Sequence, residues 1–326
     1  MRKIIASVIF SLAALLSNVM AQDNYPDRVI TLVTPYAAGG GSDILTRILA
    51  EALGKNLGQT VIVKNVTGAG GVIGSQEVAR AKPDGYTLLH HHVGIATSPT
   101  LYKELKFDPI KDFEPIGLFA ESPMVLVASK SFPPNNVKEL LDYFKKNNTK
   151  ITFASSGMGS STHLCAMQVE QAANTQVTMI QYKGAAPATL DVQAGRVNLL
   201  CDVTAGGIVG HIKSGELKAF FVTGDKRLAT LPDVPTASEA GLKDLSGVTA
   251  WYGLYAPAGT PKAIINRLSS ALQAAMRDPA VAARVAKLET ALFDPKEGVP
   301  DALREELASQ VALWKPLLEK ALAGAK

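Results

Sequence analysis

Apolar positions along the chain fall into two rhythms, short β-branched runs and longer segments in which apolar residues recur every three or four places. Val29-Ile30-Thr31-Leu32-Val33 is a run of the first kind and is halted by Pro35. From Ser42-Asp43 onward, Ile44, Leu45, Ile48, Leu49, Ala52 and Leu53 recur at helical spacing, so the unit reads strand, glycine-rich turn, helix. The same unit returns downstream. Val61-Ile62-Val63 predicts a strand, residues 68–71 a glycine turn, residues 72–81 a helix stopped by Pro83, and residues 86–89 the next strand. In the second half, residues 151–154 precede a Ser- and Gly-rich loop and a helix over 162–173, and residues 177–181 and 197–201 read as further strands. Strands alternating with helices in this way predict an α/β fold built on mixed or parallel sheets flanked by helices.

Two such runs imply two lobes. Between them lies residues 122–130, whose apolar centre Met124 to Ala128 is followed by Ser131-Phe132-Pro133-Pro134, and this segment reads as a crossover. Residues 217–223 and the proline-bearing loop Leu231-Pro232-Asp233-Val234-Pro235 look like the return, with residues 251–256 running beside the first crossover. The expected division is residues 22–121 with 226–326 in one lobe and 122–225 in the other, the return falling between about 220 and 256. The C-terminal segments 261–276 and 300–322 are amphipathic helices.

The first residues stand apart from this pattern. Arg2 and Lys3, an apolar stretch over 4–16 and Val19-Met20-Ala21 have the arrangement of a secretory signal peptide covering residues 1–21, cleaved near Ala21. Its apolar run is shorter than the ~20 residues a membrane span needs. Removing it leaves 31 basic against 29 acidic side chains, scattered along the chain. Export out of the cytoplasm is expected, and a nucleic-acid surface is not. Cys165 and Cys201, the two cysteines, are too few for a thiolate zinc site. In an oxidising compartment they either pair or stay as buried thiols.

Chemistry is expected where strands end, because helix N-termini there present unpaired N–H groups and the positive end of the macrodipole. The loop 35–43 holds Tyr36, Ala37, Gly39, Gly40, Ser42 and Asp43, and the loop 155–163 holds Ser155, Ser156, Gly157, Gly159, Ser160 and His163. Two facing loops of this kind suit a carboxylate. The alternative is that their glycines and hydroxyls only end strands and cap helices. Tyr182 and Asp202 close two further strands and are placed at the cleft, Asp202 as an organiser of loop N–H groups. Lys183 reads as solvated.

Other chemistries lack their residues. Gly68-Ala69-Gly70-Gly71-Val72-Ile73 has isoleucine where a dinucleotide loop needs its third glycine, and neither a glycine-Lys-Ser/Thr phosphate loop nor a Gly-x-Ser-x-Gly elbow is present. Ser160 and His163 share one helical turn, a poor geometry for a nucleophile and its base. In a strand only His90 and His92 share a face, and no nearby acid or thiol completes a metal shell, so neither metal nor cofactor is expected. His91 and His92 read either as hydrogen-bond donors at the cleft or as exposed strand-end residues.

Taken in order, Tyr25-Pro26, Pro35-Tyr36-Ala37-Ala38-Gly39-Gly40 with Asp43, Asn65 with Gly68-Ala69-Gly70-Gly71 and Gly74, Pro83-Asp84-Gly85-Tyr86, Ser155-Ser156-Gly157 with His163, Tyr182-Lys183-Gly184, Leu231-Pro232-Asp233-Val234-Pro235 and Ala256-Pro257-Ala258-Gly259-Thr260-Pro261 resemble the receptors of tripartite tricarboxylate transporters, the Bug proteins. The likeness spans essentially the whole mature chain. It implies a periplasmic binding protein of type II fold, two lobes around a cleft, acting as a receptor rather than an enzyme. Its ligand would be a small di-, tri- or aromatic carboxylate, its partner a membrane permease, and its state monomeric. It also implies that the two loops bind through backbone N–H groups, hydroxyls and water. His90 to Ser98 would set selectivity, and the three histidines there depart from the small polar residues expected. A sensor feeding a signalling partner and a carboxylate-processing hydrolase are the alternative functions.

Overall fold

The computed structural model describes residues 25–147, 150–245 and 248–324, so the proposed signal peptide lies outside the described residues. Strand β1 (Ile30–Thr34) lies between β2 (Val61–Asn65) and β3 (Thr87–His92), all parallel, as the repeated strand-turn-helix pattern requires. β1 is buried on both faces, whereas β2 alternates half-buried and exposed positions at the sheet edge. The sheet then turns mixed. β9 (Thr249–Pro257) runs antiparallel to β3 and to the first part of β4 (Phe113–Ser129).

β4 ties the two lobes together. Its residues 113–123 pair with β9, while Met124 to Ser129 pair antiparallel with β7 (Leu199–Val203) and β8 (Leu217–Val222). Beyond β7 lie β5 (Thr152–Ser155) and β6 (Thr178–Gln181), parallel to one another. A short tenth strand, β10 (Ala291–Leu292), pairs with β4 at Ala120 and Glu121. The strand therefore begins well before the crossover expected at 122–130. Pro115 and Pro123 mask it in the sequence, since proline lacks the ladder N–H, and the register shifts beside Pro115 and Leu118 accommodate the interruption.

The core follows the same thread. Ile30, Leu32 and Leu49 on one side and Phe153, Cys165 and Cys201 on the other join one continuous apolar cluster through Phe119, Ala120 and Met124 of β4. Residues after β8 stay against the second lobe. Val222 bridges Thr236, and Leu228 and Leu231 pack with Val125, Leu200 and Ile208. Cys165, on the helix Ser161–Ala173, is disulfide-bonded to Cys201 on β7, with Cα atoms 6.1 Å apart. Between the two possibilities left by the sequence, the pairing is the one realised. The long helix Pro300–Gly324 returns to the first lobe, where Leu303, Leu307, Trp314 and Leu318 are buried with Trp251 and Tyr255.

Candidate functional site

Three helices bring their N-termini to one point between the lobes. The helix Gly41–Leu57 follows β1, Ser161–Ala173 follows β5, and Ala185–Gln193 follows β6. A cavity there is lined by Tyr36, Gly40, Gly41 and Ser42 from the first lobe and by Ser156, Ser161, Thr162, Ala185, Asp202 and Val203 from the second, with His92 from β3. Its free space is about 10 Å³, room for about one water molecule. Gly40 and Gly184, the residues before two of these helices, cap them with no side chain, which leaves first-turn N–H groups for a guest. Only the third is capped from within, Ser160 Oγ accepting from the His163 N–H at 3.4 Å.

Of the residues singled out from the sequence, Tyr36, Gly40, Ser42, His92, Ser156 and Asp202 line the cavity. The others build its frame. Asp43 accepts from the Gly39 N–H at 2.9 Å and from Asn65 Nδ2 at 2.9 Å, and pairs with Arg47 at 2.9 Å. Burial pushes the Asp43 carboxyl up, but the bonds from Arg47, Gly39 and Asn65 outweigh it and hold the group below its ordinary value. The acid thus fixes the loop rather than opposing an anion. On the facing loop, Ser156 Oγ lies 2.8 Å and Ser160 Oγ 2.9 Å from Thr162 Oγ1, and Ser155 Oγ donates to the Gly157 carbonyl at 3.1 Å. The Gly159 N–H donates to His163 Nδ1 at 3.2 Å. Ser160 and His163 thus meet through a backbone N–H, and the imidazole is not placed as a base for the hydroxyl. Tyr182 donates to Asp191 at 2.7 Å, away from the cavity lining.

Contacts between the lobes join site residues read from the sequence to others it did not single out, Tyr102 and Met158 among them. The Ala37 N–H donates to the Lys183 carbonyl at 3.2 Å, Thr97 Oγ1 to the Gly159 carbonyl at 2.8 Å, and Tyr102 OH to the Met158 carbonyl at 2.9 Å. Gly70 and Gly157, both at positive φ, pass so closely that a β-carbon on Gly157 would stand 2.7 Å from Gly70 Cα. Gly157 therefore serves the contact between lobes. The helix Ala185–Gln193 was also missed, and with it Ala185; the glycine before an alanine-rich stretch was its available signal.

The histidines close β3, which runs three residues past the strand end at 89 that the sequence suggested, and the exposed strand-end reading does not hold. His90, His91 and His92 are each at most 2% exposed. His92 stacks on Tyr36 with centroids 4.6 Å apart, His91 meets Tyr36 edge-on, and His90 stacks on Tyr252. His91 Nδ1 accepts from the His92 N–H at 2.8 Å, and His92 Nδ1 from the Gly94 N–H at 2.9 Å, which requires both to be unprotonated there. Burial drives His90 and His92 down to about 3, His91 well below its ordinary value, and His163 to about 4. The unfolded chain takes up these protons near pH ~6.5 and the folded chain does not, so stability is complete above that pH and falls on acidification. Asp202, pushed up to about 7 by burial, works oppositely, losing stability as pH rises, but four imidazoles outweigh one carboxyl. The melting temperature is expected to drop steadily from about pH 6.5 to 4. A flat profile across that range would contradict neutral burial of the histidines.

A second cleft, about 510 Å³, lies at the starts of the helices Lys262–Arg277 and Pro300–Gly324, where Glu114, Lys262, Asp301 and Arg304 give it both charge signs. Among the described residues no helix is long and apolar enough to cross a membrane.

Comparison with known proteins agrees with this geometry. The solved structure of the periplasmic binding protein BugD is 44% identical, covers 91% of this chain and 98% of its own, and superposes with a TM-score of 0.87. MatC of Rhodopseudomonas palustris, solved with bound malate, is 32% identical over 90% of this chain and 100% of its own, with a TM-score of 0.86. A third protein, from R. palustris and solved with adipate, is 29% identical over 91% of this chain and 98% of its own, with a TM-score of 0.85. These neighbours share the two-lobed α/β architecture, and their class is that of substrate-binding receptors rather than enzymes. The model of the family described as tripartite tricarboxylate transporter family receptor matches residues 45–322. The chain belongs to the tripartite tricarboxylate transporter receptor family.

Proposed function

We propose that this protein is an exported receptor that captures a small carboxylate, an aliphatic dicarboxylate foremost, between its lobes and delivers it to the membrane permease of a tripartite tricarboxylate transporter. The observation that carries the reading is the meeting of three helix N-termini with the hydroxyls of Ser42, Ser156, Ser161 and Thr162 around a cavity whose lining includes no lysine or arginine. Backbone N–H groups and helix dipoles hold the anion, each partly buried helix end contributing up to ~2 kcal/mol. The malate and adipate seen in two neighbours are of the right class. The small cavity requires the lobes to part for entry. We place the hinge at Ser122 to Met124 of β4 and at the return before Thr249, a division supported by the packing of residues 226–245 on the second lobe. The remaining sequence-derived site residues act as the frame of that clamp.

A thermal-shift screen of the mature protein tests the reading, with malate, adipate, succinate, citrate, glutamate and terephthalate. A ligand present at about 100 times its Kd adds ~2.7 kcal/mol of stability, a plain rise in melting temperature. The rise is expected for at least one aliphatic dicarboxylate and should survive chelation of divalent metals. No rise with any of the panel would sink the proposal.

A further inference from the structure

Asp202 is the one acidic side chain in the cavity lining, and it is 2% exposed. It ends β7 in the second lobe, where Oδ1 accepts from the Val203 N–H at 2.8 Å. Oδ2 faces the other lobe. A β-carbon built on Gly206 would stand 3.1 Å from both Asp202 Oδ2 and the Gly41 N–H nitrogen, so this oxygen and the uncapped start of the helix Gly41–Leu57 flank one point and line the same cavity. A bound carboxylate drawn to that helix end meets the Asp202 carboxyl directly. Two facing carboxylates with no cation between them repel, whereas a carboxyl that keeps its proton becomes a donor to the ligand.

Resting on the proposed carboxylate-receptor function, we infer that Asp202 binds the ligand as the neutral acid, donating its O–H to a ligand carboxylate, so that capture takes up one proton from solvent whenever Asp202 starts ionised. No covalent bond changes. The proton comes from solvent on binding and returns to it on release. Burial already pushes the Asp202 carboxyl up to about 7, so near neutrality the proton is present in part of the population.

The groups around Asp202 do not titrate in the same range. From β9 faces Tyr252, whose phenol burial pushes up, and from the loop after β1 faces Tyr36, raised for the same reason. From β3 comes His92, held at about 3 by burial, and from the helix Ser161–Ala173 His163, held at about 4 by burial. On the helix Gly41–Leu57, Asp43 is paired with Arg47 and held low. On the helix Ala185–Gln193, Asp191 is bonded to Tyr182 and Arg196 and held low. β4 and β5 place Val125 and Ala154 beside β7 and carry no charge there. Between about pH 6.5 and 9 the carboxyl of Asp202 is therefore the group that changes.

The test is calorimetry on the mature protein with malate and with adipate, both fully ionised above about pH 6.5, in paired buffers of different ionisation heat. The wild type is expected to take up close to one proton per ligand at about pH 8.5 and much less at about pH 6, with affinity falling about tenfold per pH unit above 7. Asp202→Asn keeps an N–H donor without a charge. It should bind with no proton uptake and no such slope, and at about pH 8.5 it should bind more tightly than the wild type. Binding by the wild type with affinity and proton count independent of pH would overturn the inference and leave the receptor function standing, as would a slope unchanged in Asp202→Asn. Heat from neither carboxylate at any pH would remove the carboxylate reading and this inference together.

Discussion

Gly41→Ala and Gly184→Ala are each expected to weaken carboxylate binding roughly five- to a hundredfold while leaving the lobes folded, the 1–3 kcal/mol of a misfit contact expressed as affinity. The cost arises only where the lobes meet. A β-carbon on Gly41 would collide with Val203 Cγ2 and lie 3.2 Å from the Gly206 backbone nitrogen of the second lobe. On Gly184 it would stand 2.7 Å from both the Cβ and the backbone nitrogen of Ala37, where the Ala37 N–H already bonds to Lys183. Alanine suits the helix start at Gly41 better than glycine does, and the extended backbone of Gly184, φ 160°, is open to any residue. The parted lobes thus bear neither penalty, and melting temperature without ligand should hold while calorimetric affinity falls. Gly39→Ala is the contrasting case, since its β-carbon meets nothing nearer than Ala186 at 3.8 Å and its cost is that of positive φ alone. Wild-type affinity in Gly184→Ala would show that this approach of the lobes plays no part in capture.

Breaking the Cys165–Cys201 bond is expected to be the largest single loss of stability. The bond closes a loop across a sequence separation of 36, for which the loop-entropy relation gives ~4 kcal/mol. Both sulfurs are fully buried and join the helix Ser161–Ala173, which follows the serine- and glycine-rich loop at the cavity, to β7, which carries Asp202. The paired change Cys165→Ala with Cys201→Ala avoids burying new hydroxyls. It should lower the melting temperature by roughly 5 to 10 °C for a chain of this size, and reduction of the wild type should do the same. Ligand affinity should fall with it, because the loop and the acid are no longer held together. An unchanged melting temperature in the double variant would show that the surrounding core, not the bond, fixes this corner.

How far local pattern reaches is visible in particular elements. The strand, glycine loop and helix around Ile30, Gly40 and Leu53 were legible because side-chain period and turn chemistry are properties of neighbouring residues. The same holds for the loop at Ser156 and for the family resemblance, which rests on short motifs in order. β4 was only half legible, because its prolines read as breaks until partner strands supply bulges that absorb them.

Local order told which loops end strands but not what each loop faces. Gly70 and Gly157 permit close approach, yet whether of a ligand or of backbone depends on the meeting of two lobes. The histidines of β3 are polar in the sequence and buried in the fold because β9, far along the chain, lays Tyr252 and Leu254 against them. Asp202 lies at the end of a strand in one lobe, and only the insertion of β7 between β4 and β5 brings it to the start of a helix in the other. Sequence by itself determined the α/β units, the glycine-rich loops that end their strands and the family, since those follow from periodicity and turn residues within a few positions. Tertiary structure decided the cavity's lining, the burial of its titratable groups and the pairing of the cysteines, because desolvation and contact depend on which distant surfaces come together.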